Sequence, residues 1–152
     1  MPVTPAAPRI TATDMRNKTL AAWLALVTGL FGLHRFYLHG RADIIGWLLP
    51  LCSAAGIYGI WRARHFGLDD RLSWLLVPII GFAFSACALT AIVYGLSAAR
   101  NWNQKFNPGE APEHPAGATN WLTVGALLVA MLLGCIALVA SIAFSLQHLF
   151  EL

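Results

Sequence analysis

The stretch that decides the fold is Gly29-Leu30-Phe31-Gly32-Leu33-His34-Arg35-Phe36-Tyr37-Leu38-His39-Gly40, where an apolar run meets a histidine and an arginine. The run from Leu20 to Leu33 has 14 residues. Extended to Thr19–Leu38 it has 20 residues, which at about 1.5 Å per residue cross about 30 Å of hydrocarbon. His34 to Tyr37, which we call the junction, stands where a signal peptide would need a small-residue cleavage site. We therefore expect an uncleaved first membrane span.

The composition points to a membrane protein, since 58% of the residues are apolar and only 11% are charged. The net charge of +3 is spread over the edges of apolar runs, which is typical of topology signals and lipid-headgroup contact. Nucleic-acid binding would need a clustered basic face, so no nucleic acid is expected. The isolated cysteines at 52, 87 and 135 are interpreted as packing residues, and no metal or other cofactor is predicted.

Three further uncharged runs follow the first, and together they predict an all-α, polytopic helical membrane protein with four transmembrane helices. The predicted segments are an N-terminal polar tail (1–18), a two-helix hairpin (19–65), a third transmembrane helix (72–99), a polar loop (100–120) and a fourth transmembrane helix (121–147). The proline- and glycine-rich composition of the 100–120 loop predicts a mobile segment. Trp102, Phe106 and Trp121 are candidates to anchor its ends at the headgroups.

Small residues recur every four positions in the first and last runs, which predicts faces for close helix packing in lipid. They are Ala21, Ala25 and Gly29 in the first run, and Ala126, Ala130 and Gly134 in the last.

Four spans place both termini on one side of the membrane. A cytoplasmic N-terminus then puts six basic residues inside and four outside, which favours the N-in, C-in orientation. The plain composition and short loops suggest the cytoplasmic (inner) membrane of a bacterium.

The motif Gly32-Leu33-His34-Arg35-Phe36-Tyr37-Leu38, preceded by Asn17-Lys18-Thr19-Leu20-Ala21-Ala22 and followed by Gly56-Ile57-Tyr58-Gly59-Ile60-Trp61, resembles the TM2 domain family. The resemblance covers roughly residues 17–65. It implies two membrane helices joined by a short loop, in a protein whose molecular role is mostly undefined. Two departures stand out: His39 intervenes before Gly40, and no aspartate follows Trp61 within a few residues.

The junction residues His34, Arg35, Phe36 and Tyr37 are the candidate site for binding lipid or a partner. The planar fork of Arg35 suits bidentate capture of a lipid phosphate or of a carboxylate on a partner membrane protein. In the alternative interpretation, Arg35 and the aromatic residues form an interfacial anchor, with Arg35 paired to Asp43. His34 could sense pH, although an interfacial polar role is the commoner one.

No catalytic residues are predicted, because the chain has no GxSxG, HExxH or glycine-rich phosphate loop. Asp69 and Asp70, beside Arg71, are interpreted as a solvated connector because hard cations want more oxygen ligands than one adjacent pair. The predicted function is a non-enzymatic interaction or scaffold module, with membrane lipids, a membrane protein or a second copy of the chain as its partner. The alternative is a small oligomeric channel or transporter built from small-residue helix faces.

Overall fold

The computed structural model describes residues 15–67 and 69–150, except for the side chain of His148, and its regular elements are all helical. In chain order they are α1 (Lys18–Val27), a first 3₁₀ turn (Gly29–Phe31), α2 (Leu33–His39), α3 (Ile44–Phe66), α4 (Arg71–Leu96), α5 (Ala99–Phe106), a second 3₁₀ turn (Pro115–Gly117) and α6 (Trp121–Phe150). The predicted all-α class is therefore confirmed. Residues 1–14 of the predicted tail lie outside the described residues.

Three of these helices, α3, α4 and α6, are long and apolar enough to cross a membrane. The central helix is α4, which packs on α3 along one side and on α6 along another. Glycines bring the helices close: a Cβ on Gly56 of α3 would lie 2.4 Å from Cβ of Ile80, and one on Gly134 of α6 would lie 2.7 Å from Cβ of Ala88. Close backbone approach of this kind is the usual basis of helix association in lipid.

The predicted first span is wrong as a continuous helix, because the chain reverses direction between Val27 and Leu33. The helix α1 ends at Val27, a 3₁₀ turn follows, and Gly32 adopts a left-handed conformation with φ of 72°. The returning helix α2 brings the hydroxyl of Tyr37 within 2.8 Å of the backbone N–H of Asn17, which donates to it. Residues 17–39 therefore enter and leave at the same end of the bundle, and we call them the re-entrant hairpin.

The two ends of the bundle follow from these contacts. Thr19 at the start of α1 contacts Thr123 at the start of α6 through their hydroxyls, 2.7 Å apart, so both helices begin at what we call the N-terminal end. Helix α6 then runs antiparallel to α4, and Leu149 lies with Arg71 at the opposite end. The described chain thus starts and finishes at different ends, and the predicted arrangement with both termini on one side does not follow from this fold.

The loop 100–120, predicted to be a mobile segment, contains most of α5 and the second 3₁₀ turn. Its first part forms α5, and Trp102, proposed as a headgroup anchor, is only 1% exposed. The indole N–H of Trp102 donates to the carbonyl of Arg16 at 2.8 Å, and its ring packs with Ala21 and Leu38. Trp121, by contrast, is 87% exposed at the start of α6. This segment between α4 and α6, which we call the connector from here on, therefore covers the base of the re-entrant hairpin.

Candidate functional site

The four junction residues all lie on α2, where His34 is buried and the other three are partly exposed. His34 is only 2% exposed, and its ring lies 6.2 Å from the ring of Tyr94 on α4. Its Nδ1 atom has no hydrogen-bond partner among the described residues. The side chain of His34 thus points from α2 toward α4 and does not face headgroups directly.

Arg35 forms a bidentate ion pair with Asp43, the residue immediately before α3. The guanidinium donates to the carboxylate through both Nε and Nη2, and the Nη2–Oδ1 distance is 3.2 Å. This hydrogen bond holds the pKa of the Asp43 carboxyl below its usual range. The side chains remain 23% and 14% exposed, so the pair lies at the rim of the hairpin. The pairing weighed in the sequence interpretation is therefore present.

The two aromatic junction residues fix α2 against its neighbours. Phe36 packs where Gly46 of α3 leaves room, since a Cβ there would lie 2.5 Å from Cε1 of Phe36. Its ring also lies 5.3 Å from that of Trp47. Tyr37 accepts the hydrogen bond from Asn17 described above, and its ring lies 5.2 Å from the guanidinium of Arg16. Together they fasten the returning helix to α3 and to the chain before α1.

The tip of the hairpin is tied to α3 by a serine that the sequence did not single out. The hydroxyl of Ser53, a residue only 4% exposed, lies 2.8 Å from the carbonyl of Leu30 and 2.9 Å from that of Leu49. Its single proton is shared between these two carbonyls. Leu30 belongs to the 3₁₀ turn, so Ser53 satisfies a backbone group that has no water nearby in a bilayer.

A second arginine–aspartate pair closes the connection between α3 and α4 at the other end of the bundle. Arg62 donates to Asp70 at 2.9 and 2.7 Å, and Asp70 also accepts from the backbone N–H of Ser73 as the N-cap of α4. The hydrogen bond from Arg62 lowers the pKa of Asp70. Asp70, interpreted from the sequence as part of a solvated connector, lies in the α3–α4 connection, where it is partly exposed and paired with Arg62. The sequence feature that could have predicted this pair is an arginine eight residues before the aspartate, the same spacing as between Arg35 and Asp43.

Polar residues missed by the sequence reasoning form a buried cap where the connector meets α1. The ammonium of Lys18, fully buried, donates to the carbonyl of Ser97 at 2.9 Å and to the hydroxyl of Thr119 at 2.7 Å. The carbonyl at the end of α4 is a favourable place for this cation, because the helix dipole is negative there. Asn107 exchanges hydrogen bonds with the backbone of Arg16.

The small residues predicted at helix contacts lie at such contacts in the structure. Ala21 and Ala25 of α1 are fully buried, and a Cβ on Gly29 would lie 2.6 Å from Cβ of Cys87. On α6, Ala126 and Ala130 are likewise fully buried, and Gly134 meets Ala88 as described above. The ladder on α1 packs on α4 and α6, which anchors the re-entrant hairpin.

Comparison with protein-family models matches residues 14–63 to the TM2 domain. Searches of curated proteins and of solved structures gave no match. The matched segment includes α1, α2 and the junction, together with α3 almost to its end. The resemblance predicted from the sequence is thus confirmed over residues 14–63, the segment that matches the TM2 domain.

Proposed function

We propose that this membrane protein is a non-enzymatic interaction or scaffold module that presents the Arg35–Asp43 pair to lipid phosphates or to an acidic group of a partner. The supporting observation is the position of the pair, which is held by two hydrogen bonds and is still 23% exposed on the Arg35 side. Arg41, exposed in the following turn, adds a second cation to the same rim. A guanidinium with an open edge can bind a phosphate while Asp43 holds its orientation.

The test is extraction of the tagged full-length protein in native lipid particles, followed by identification of the lipids and proteins that co-purify. Arg35→Lys keeps the charge and removes the fork, while the double variant Arg35→Gln/Asp43→Asn removes the pair without leaving an unpaired carboxylate. We expect both to lose an anionic lipid or a partner that wild type retains. Arg100→Gln, which removes an exposed cation at the same end of the bundle but outside this rim, is the matched control. Equal profiles of co-purifying lipids and proteins for wild type and the double variant would limit the pair to a structural role.

We further propose a topology of three spans with the N-terminal end in the cytoplasm and the C-terminal end outside, in the inner membrane of a bacterium. Basic side chains support this orientation. Among the described residues, six lie at the N-terminal end and three at the opposite end, namely Arg16, Lys18, Arg35, Arg41, Arg100 and Lys105 against Arg62, Arg64 and Arg71.

Cysteine labelling distinguishes this topology from four spans. In a variant without the native cysteines, single cysteines replace Asn17, Arg41 or Arg64, and a membrane-impermeant maleimide is added to cells or to inverted vesicles. The re-entrant hairpin predicts that positions 17 and 41 are labelled from the same side and position 64 from the other. Labelling of 17 and 41 from opposite sides would restore the four-span arrangement.

A small oligomeric channel or transporter remains the second candidate, and His34 is the observation that favours it. It is an ionisable side chain within the apolar part of the bundle, and its Nδ1 is unpartnered among the described residues. Ion and proton flux into proteoliposomes, measured for wild type and His34→Gln, tests this function. A flux that the variant lacks would favour transport over a scaffold role.

A further inference from the structure

A long apolar groove between α4 and α6 lies outside residues 14–63, the segment that matches the TM2 domain. Its middle part, of about 340 Å³, is lined by Ser85, Leu89, Met131 and Leu138 among others. A second part, of about 430 Å³, continues from there to the C-terminal end of the bundle. Phe82 lines both parts, so they adjoin.

Small residues make the floor of this groove. Gly134 and Ala88 meet at the helix contact, and Ser85 donates to the carbonyls of Gly81 and Gly134 instead of projecting outward. The walls are larger and open to the membrane, as the 61% exposure of Leu89 and the 62% exposure of Met131 show. Such a groove fits a flexible hydrocarbon chain.

The groove ends beside a cation. Arg71, the first residue of α4, is exposed and lines the end of the groove together with Trp74 and Leu149. The two ion pairs found in residues 15–67 and 69–150 are those of Arg35 and Arg62, and the nearest carboxylate in sequence, Asp70, is engaged by Arg62. Arg71 therefore carries a positive charge, with no ion-pair partner in this part of the chain, at headgroup level.

The distance along the helix fits one leaflet. From Arg71 to Phe82, α4 advances eleven residues, or about 16 Å, which is about half of a hydrocarbon core of about 30 Å. From the complementary charge and this length, we propose that the groove is a binding site for one anionic phospholipid of the leaflet at the C-terminal end. Its phosphate contacts Arg71 and one acyl chain lies along the groove past Trp74 toward Phe82.

Native mass spectrometry of the purified full-length protein, with palmitoyl-oleoyl phosphatidylglycerol added to the micelles, tests the site. We expect one lipid to be retained by wild type, with about tenfold weaker retention in Arg71→Gln because a charge-assisted contact is lost. Arg64→Gln, which removes an exposed cation at the same end but outside the groove, should behave as wild type. Ser145→Phe, which fills the end of the groove, should also lose the lipid.

Four results would overturn the proposal. Two concern the variants: equal retention by Arg71→Gln and wild type, and equal loss in Arg71→Gln and Arg64→Gln. The others are wild-type binding of a diacylglycerol with the same chains as tight as that of phosphatidylglycerol, and a dimer that forms through the groove in place of the lipid. If Ser145→Phe does not fold, the comparison of the two arginine variants decides alone. Because the site is independent of the junction, its failure leaves the proposed function untouched.

Discussion

Replacement of Gly32 by alanine should destabilise the re-entrant hairpin. Gly32 has φ of 72°, and a Cβ there would lie 2.1 Å from the carbonyl oxygen of Gly46 and 3.2 Å from its Cα. The left-handed conformation costs a residue with a Cβ about 1–2 kcal/mol. The contact is with backbone, so α2 or α3 must shift, and overpacking of this kind costs about 1–3 kcal/mol. The expected loss in free energy of unfolding is therefore about 2–5 kcal/mol.

The assay is equilibrium unfolding of the purified protein in mixed micelles with increasing sodium dodecyl sulfate, followed by far-UV circular dichroism. Two other glycines serve as references. Gly40 has φ of 82° and ψ of 180°, a backbone conformation that is essentially restricted to glycine, and nothing lies within 4 Å of a new Cβ. Gly40→Ala therefore carries a backbone cost of about 1–3 kcal/mol without a steric contact. Gly125 lies inside α6 with open space around it, so Gly125→Ala should be neutral or stabilising by about 0.5–1 kcal/mol.

The expected order of stability is Gly125→Ala first, then wild type, then Gly40→Ala, and Gly32→Ala last. A loss of less than about 2 kcal/mol in Gly32→Ala would show that α2 and α3 do not approach closely at Gly46, because the backbone cost alone would account for it. A Gly32→Ala variant as stable as Gly125→Ala would refute the left-handed turn and, with it, the reversal of the chain.

Three further predictions concern contacts that hold the hairpin and the helix connections. Ser53→Ala should lower the free energy of unfolding by about 1 kcal/mol, because the Leu30 carbonyl then lacks its partner in the same micelle assay; no change would mean that this carbonyl finds another donor. Trp102→Ala should cost about 3–5 kcal/mol and expose the connector to limited proteolysis, whereas unchanged cleavage would contradict the ordered cap. The pKa values of Asp43 and Asp70 are lower in the folded than in the unfolded state, so the contribution of these carboxylates to stability is complete above the unfolded-state pKa of about 4 and is lost as the pH falls below it. Thermal unfolding between pH 7 and pH 3 should therefore show a loss of stability in acid that is smaller in the double variant Asp43→Asn/Asp70→Asn than in wild type. Equal losses of stability would argue against both pairs.

The long helices could be predicted because hydropathy and length alone specify them. The uncharged runs that start at Ile44, Leu72 and Trp121 correspond to α3, α4 and α6. The ends of α4 and α6 lie within a few residues of those expected. Helix α3 continues past the end of its uncharged run, at Trp61, to Phe66. The packing faces could also be predicted, since small side chains spaced four residues apart lie on the same face of a helix.

The direction of the first segment could not be read from hydropathy, because an apolar stretch looks the same whether it crosses or returns. The available signal was local: Gly29 and Gly32 interrupt the run, and Arg35 would have lain inside the membrane in a straight helix. The connector was missed for a related reason. Its prolines and glycines dominate the composition, while the face formed by Trp102, Asn103, Phe106 and Asn107 covers only two turns of α5.

A re-entrant hairpin in a bilayer creates a need for polar partners within the protein. Each helix end leaves carbonyl and N–H groups without intrahelical partners, and within hydrocarbon these must be satisfied by protein. Ser53 supplies such a partner at the tip, where its hydroxyl donates to the Leu30 carbonyl, and Asp43 pairs with the Arg35 side chain at the rim. Polar side chains that hydropathy alone counts against a membrane segment therefore hold the reversal in place. The motif in this way first specifies a fold, and only the edge of the Arg35–Asp43 pair that the fold leaves exposed is open to a ligand.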